Sequence, residues 1–189
     1  MWHWQAPHPE WTPKDDWEQT DVSSYAIDNG ELLLFFDPLA MPDEIEALAA
    51  ERGSAIVLTS PWHQRDALAV AERLDAPIYA PPPEEDPDPI GGLVFRAGDR
   101  LPVGVTAFPG REEPHDVVLY IENRSAVVAG DTLVDRGQGI EILEEWLPDG
   151  VTREQVVEGL HPLLDLNIEV VLPTHGPPSD RAALERALA

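Results

Sequence analysis

The stretch "SAIVLTSPWHQRDALAVAERLDAPIYA", residues 54–80, decides how the chain is built. "SAIVLTS" is an apolar run closed by hydroxyl residues and reads as a buried strand. From about Asp66 to Leu74 the apolar residues return at helical spacing, and "PIYA" follows as a second short strand. In α/β proteins the loop at the carboxyl end of a strand is where ligands and metals usually bind. Here that loop carries a single histidine, His63, among Ser60, Trp62, Gln64 and Arg65.

On the N-terminal side, "SSYAIDNGELLLFFDPL" (23–39) presents two apolar runs separated by Asn29-Gly30, a dipeptide that predicts a tight hairpin because both residues tolerate positive φ. Pro42 then opens "PDEIEALAAERG", with acidic residues in the first turn and Gly53 after the last, the punctuation of a helix. The β-α-β-α-β pattern is broken by "PPPEEDPDPIGG" (81–92), whose prolines and like charges predict a solvated loop. Short strands follow in "GLVFRAGD", "LPVGVTAFPG", "DVVLYIE" and "SAVVAGDTL". "TREQVVEGLHPLLDL" is an amphipathic helix capped by Thr152, "IEVVLPTHGPP" runs from a strand into a loop, and "SDRAALERALA" is a closing helix capped by Ser179 or Asp180. The expected organisation is one α/β domain over residues 1–189, made of two halves without a detectable repeat.

Composition narrows the function. With 36 acidic against 12 basic residues the formal net charge is -24, which repels nucleic acid and anionic membranes at long range. Lys14 is the one lysine, and the absence of cysteine removes disulfides, thiolate ligands and a cysteine nucleophile. No signal-like leader or membrane-length apolar run is present, so a cytoplasmic location is expected. The start carries Trp2, Trp4, Trp11 and Trp17; residues 1–22 are expected to strap onto the body, with a homodimer contact or a lid as the functional alternative. No Walker or dinucleotide glycine loop and no Gly-x-Ser-x-Gly turn occurs.

Three strand-end loops gather the remaining chemistry: "TSPWHQRD", "AGDTL" and "LPTHGPP". An aspartate directly after a buried strand, such as Asp131, requires a cation, a donor or water. His175 holds the equivalent place after the last strand.

From about Ser23 onward, the order of "FFDPL", "IVLTSPWHQRDA", "FPGREEPHDVVLYI", "VVAGDTL" and "VLPTHGPP" resembles the metallo-β-lactamase superfamily. The resemblance implies a four-layer αββα sandwich with a metal site at one edge of its two sheets. It implies Asp131 as the metal-bridging aspartate, His175 as the last histidine ligand, and Asp37 as the acidic residue that ends the second strand. Active members carry Thr-His-x-His-x-Asp-His in the first loop and a His after Pro-Gly. Aligned on Thr59, the ligand positions here hold Ser60, Trp62, Gln64 and Arg65, and Arg111 follows Pro109-Gly110. Of seven expected ligands, two remain.

Two arrangements follow. In one, a single zinc, iron or manganese ion is held by Asp131, His175 and a third ligand from His63, Asp66 or His115, and its bound water attacks a small ester, lactone or thioester. In the other, Arg65 and Arg111 take the place of the metals, pair with Asp131 and Asp37, and leave a metal-free pocket in which Trp62 and the guanidinium groups hold a small anionic ligand.

Overall fold

The computed structural model describes residues 1–8, 21–84 and 88–189. Trp11 and Trp17 of the expected strap, and residues 85–87 of the acidic loop, lie outside them.

The first half contains β1 (Trp2–Pro7), β2 (Asp21–Asp28), β3 (Leu33–Phe36), α1 (Asp43–Ala50), β4 (Ser54–Val57), α2 (Ala67–Leu74), β5 (Ile78–Ala80) and β6 (Leu93–Val94). Its six strands form one sheet in sequence order, antiparallel from β1 to β3 and parallel from β3 to β6. The described part of the strap is therefore a strand, and Trp2 and Trp4 rest on the outer face of this sheet.

The second half contains β7 (Arg100–Leu101), β8 (Val105–Pro109), β9 (Val117–Ile121), β10 (Ala126–Gly130), β11 (Val134–Asp135), β12 (Ile140–Glu141), α3 (Arg153–Leu160), β13 (Val170–Pro173), β14 (Ser179–Asp180) and α4 (Arg181–Ala187). Six strands make a second sheet in the order β14-β13-β10-β9-β8-β7, while β11 and β12 form a separate ribbon.

Alternation along each strand explains the layering. Tyr25, Ile27, Leu34, Phe36, Ala55 and Val57 of the first sheet meet Val105, Leu119, Ile121, Val128 and Leu172 of the second in a shared core. Their neighbours face outward: Ala26, Phe35 and Ile56 pack with Ile45, Ala49 and Val70 of α1 and α2. On the other side Val118, Val127 and Val171 pack with Val156, Leu160 and Leu184 of α3 and α4. With both faces of each sheet covered, the central strands read as continuous apolar runs. The architecture is a four-layer αββα sandwich.

Local punctuation differs from expectation in one place. The β2–β3 hairpin closes through residues 29–32, with only Gly30 at positive φ (98°), because the Asn29 side chain accepts hydrogen bonds from the Glu31 and Leu32 amides. Thr152 caps α3 as expected, and Gln155 completes the capping box.

Candidate functional site

Asp37 follows β3, Thr59 and the next six residues follow β4, Asp131 follows β10 and His175 follows β13. The sandwich thus gathers four strand-end loops at one edge. A register shift between Val128 and Gly130 bends β10 just before Asp131. Pro61 starts a 3-10 turn over Pro61–His63, and this turn brings His63 inward to 4% exposure.

Asp37 and Arg65 both adopt the left-handed region, at φ 46° and 40°. For Asp37 the local bonds hold that geometry: its Oδ1 accepts the Thr59 amide at 2.9 Å and its Oδ2 accepts the Thr59 hydroxyl at 2.7 Å. The Thr59 hydroxyl has one proton, already given to Asp37, so it accepts from His63 Nδ1 at 2.8 Å. Nδ1 also lies 3.1 Å from Asp37 Oδ2. His63 Nε2 faces Asp131 Oδ1 at 3.4 Å. Both ring nitrogens therefore face carboxylates. Burial opposes charging of the ring, but Asp131 and Asp37 outweigh it and raise the His63 pKa to about 9. Burial works against ionisation of Asp131 and Asp37 too, yet His63 in first place holds both below the ordinary carboxylate range.

Arg111 supplies a second cation. Its Nη2 is 3.6 Å from Asp131 Oδ2 and its Nε is 3.5 Å from Asp116 Oδ2. Nη1 donates to the Trp146 carbonyl, and the guanidinium carbon stands 5.8 Å and 5.6 Å from the rings of Trp62 and Trp146. Asp116, fully buried, accepts the Thr132 hydroxyl at 2.7 Å. Burial, and then the Asp131 charge, push it up to about 7. His175 Nε2 lies 3.5 Å from Asp131 Oδ1, and burial outweighs that carboxylate to pull His175 down to about 4.

Arg65 turns the other way, its Nη1 donating to the carbonyls of Asp37 at 2.8 Å and Ser23 at 3.3 Å. Burial draws its pKa below the ordinary range, only partly offset by Asp37 and other neighbours. Trp62 separates the two arginines by lining two cavities. One, about 320 Å³, is lined by Arg111, Asp131, Trp146, Glu84 and Glu112 as well as Trp62. The other, about 420 Å³, is lined by Arg65, Gln64, His8, Pro61 and Leu39 with Trp62 and Asp66.

The site thus brings together Asp37, His63, Asp131, His175 and Arg111. It does not bring in Asp66, whose Oδ2 accepts the Ala40 amide at 2.7 Å, or His115, whose Nδ1 donates to the Pro82 carbonyl at 2.8 Å. Asp116, Thr132 and Trp146 escape the sequence reading. Asp116 had a usable signal, since like Asp131 it is an aspartate flanking a buried strand.

Among the described residues no group of three or more His, Asp or Glu side chains is placed to hold a metal ion. Cationic side chains of the chain itself flank Asp131 instead.

No protein-family profile matches the chain, and no curated protein does. Solved structures do resemble it. TTHA1623 in a di-iron-bound form is 26% identical over 88% of this chain and 93% of that one, with a TM-score of 0.65. The BLEG-1 B3 metallo-β-lactamase is 20% identical over 98% and 97%, with a TM-score of 0.64. ETHE1 from Myxococcus xanthus is 18% identical over 100% and 83%, also with a TM-score of 0.64.

Proposed function

We propose that this chain, which has the metallo-β-lactamase fold, works without a resident metal ion and binds a small anionic ligand at the edge of its two sheets. The observation that carries the reading is charge replacement. Asp131, the residue matched to the metal bridge, has His63 at 3.4 Å on one carboxylate oxygen and Arg111 at 3.6 Å on the other. A guanidinium stays charged at any working pH, and the carboxylates on either side of His63 raise its pKa to about 9. A dication brought to Asp131 has to displace both and meets their repulsion.

Metal content per chain, measured by mass spectrometry on protein purified without chelator or metal-affinity resin, tests this. The expected result is far below one ion per chain, persisting after dialysis against micromolar zinc. About one zinc, iron or manganese ion per chain would overturn the reading. A second reading, a mononuclear metal-dependent hydrolase of a small ester, lactone or thioester, has one observation in its favour: Asp131 Oδ1 makes no hydrogen bond among the described residues while two histidine Nε2 atoms face it. The same measurement separates the two.

A further inference from the structure

Trp62 divides the loop edge into two cavities, and their electrostatics are unequal. On the Arg111 side the guanidinium has Asp116 and Asp131 at 3.5 and 3.6 Å, and Glu84 and Glu112 line the same wall. That cavity already holds more negative than positive charge. On the other side Arg65 is a half-buried cation whose hydrogen bonds go to two main-chain carbonyls. No carboxylate among the described residues lies within ion-pair range of it. Asp66, the one described acidic residue in that wall, spends a carboxylate oxygen on the Ala40 amide.

We infer that the Arg65 cavity is the ligand site, and that it takes a small organic monocarboxylate with a flat apolar body. This rests on the functional reading above for the presence of an anion and adds where and what. The carboxylate takes guanidinium donors of Arg65 and the side-chain amide of Gln64. The indole of Trp62, with Pro61 and Leu39, covers the body. A monoanion is favoured over phosphate because Asp66 and the formal net charge of -24 repel a dianion about twice as strongly. Arg111, by contrast, serves the buried cluster.

Calorimetric titration of the full chain with benzoate, and separately with inorganic phosphate, in a buffer containing neither carboxylate nor phosphate, tests the inference. Benzoate should bind saturably and more tightly than phosphate. Arg65→Gln should weaken it roughly 10- to 100-fold, the range for losing charged hydrogen bonds. Arg65 also ties Ser23 to Asp37, so Arg65→Lys serves as a second variant. It keeps the charge, lacks the planar fork, and should still weaken benzoate about 10-fold with circular dichroism unchanged. Arg73→Gln, on a surface pair with Glu46, should leave binding as it is.

Phosphate binding more tightly than benzoate would overturn the ligand class. Loss of benzoate in Arg111→Gln but not in Arg65→Gln would overturn the location while leaving the anion-binding reading intact. Saturable heat from neither anion would overturn the inference, with the metal-free cluster still standing. One metal ion per chain together with benzoate held through Arg65 would overturn the functional reading and leave this inference in place.

Discussion

His63 Nε2 lies 3.4 Å from Asp131 Oδ1, while the opposite nitrogen of the same ring reaches Asp37 Oδ2 at 3.1 Å. One imidazole therefore bridges the carboxylates that end β3 and β10, which belong to different sheets. Across the sandwich edge it ties the two halves of the chain through charge as well as packing.

That bridge sets a pH dependence. His63 titrates near 6.5 in an unfolded chain and at about 9 in the folded one, so its protonated form favours folding. Its contribution is fully present below pH 6.5 and is lost as the pH rises through 9. Urea midpoints should fall between pH 6.5 and 9, on the order of 3 kcal/mol of stability. His63→Gln should flatten that fall; parallel curves for the two proteins would rule the bridge out as the cause.

Asp131→Asn leaves His63 and Arg111 without their common carboxylate. Breaking a buried pair by removing one partner typically costs ~3–5 kcal/mol, and a loss near the lower end is expected because Asp37 and Asp116 remain. Chemical denaturation reads the loss, and metal content should not change. A variant as stable as the parent would remove Asp131 from the charge cluster.

Gly130 stands where no side chain fits. At φ 56° it lies in the left-handed region, and an added Cβ would come within 2.9 Å of Thr59 Oγ1 and 3.3 Å of Asp116 Oδ1. Gly130→Ala should destabilise the fold by about 1–3 kcal/mol and disturb the Thr59 bond to Asp37. Loss of the downfield Thr59 hydroxyl or amide resonance by NMR would report the second effect. Unaltered melting would show that the edge yields more readily than this packing allows.

Salt should act on the surface and spare the cluster. A formal net charge of -24 repels itself at low ionic strength, and the screening length falls from about 10 Å at 0.1 M to about 3 Å at 1 M. The melting temperature should therefore rise by several degrees from low salt to molar potassium chloride. His63→Gln should show the same rise. A melting temperature that is flat or falling with salt would contradict the account.

The layers were legible in the chain because their cause is local. Apolar runs such as "LLLFF" and "VVLYI" must be covered on both faces, and the caps at Thr152 and Asp180 mark where helices begin. The places of Asp37, Asp131 and His175 at strand ends follow from the same runs. What those groups face was decided only by the tertiary structure. His63 stands one residue away from the nearest ligand position of the family motif, yet the 3-10 turn from Pro61 directs its ring to Asp37 and Asp131. Arg65 and Arg111 occupy equivalent-looking replacements in the sequence, but one donates only to main-chain carbonyls while the other also stands 3.5 and 3.6 Å from the buried carboxylates of Asp116 and Asp131, with Trp62 between their cavities. Asp116 acquires its partners from Thr132 and Arg111, which only the pairing of β8, β9 and β10 brings to it. Spacing along a chain determines which loops meet. The direction of each side chain depends on backbone turns and on the charges it finds there, and those exist only once the sheets have packed.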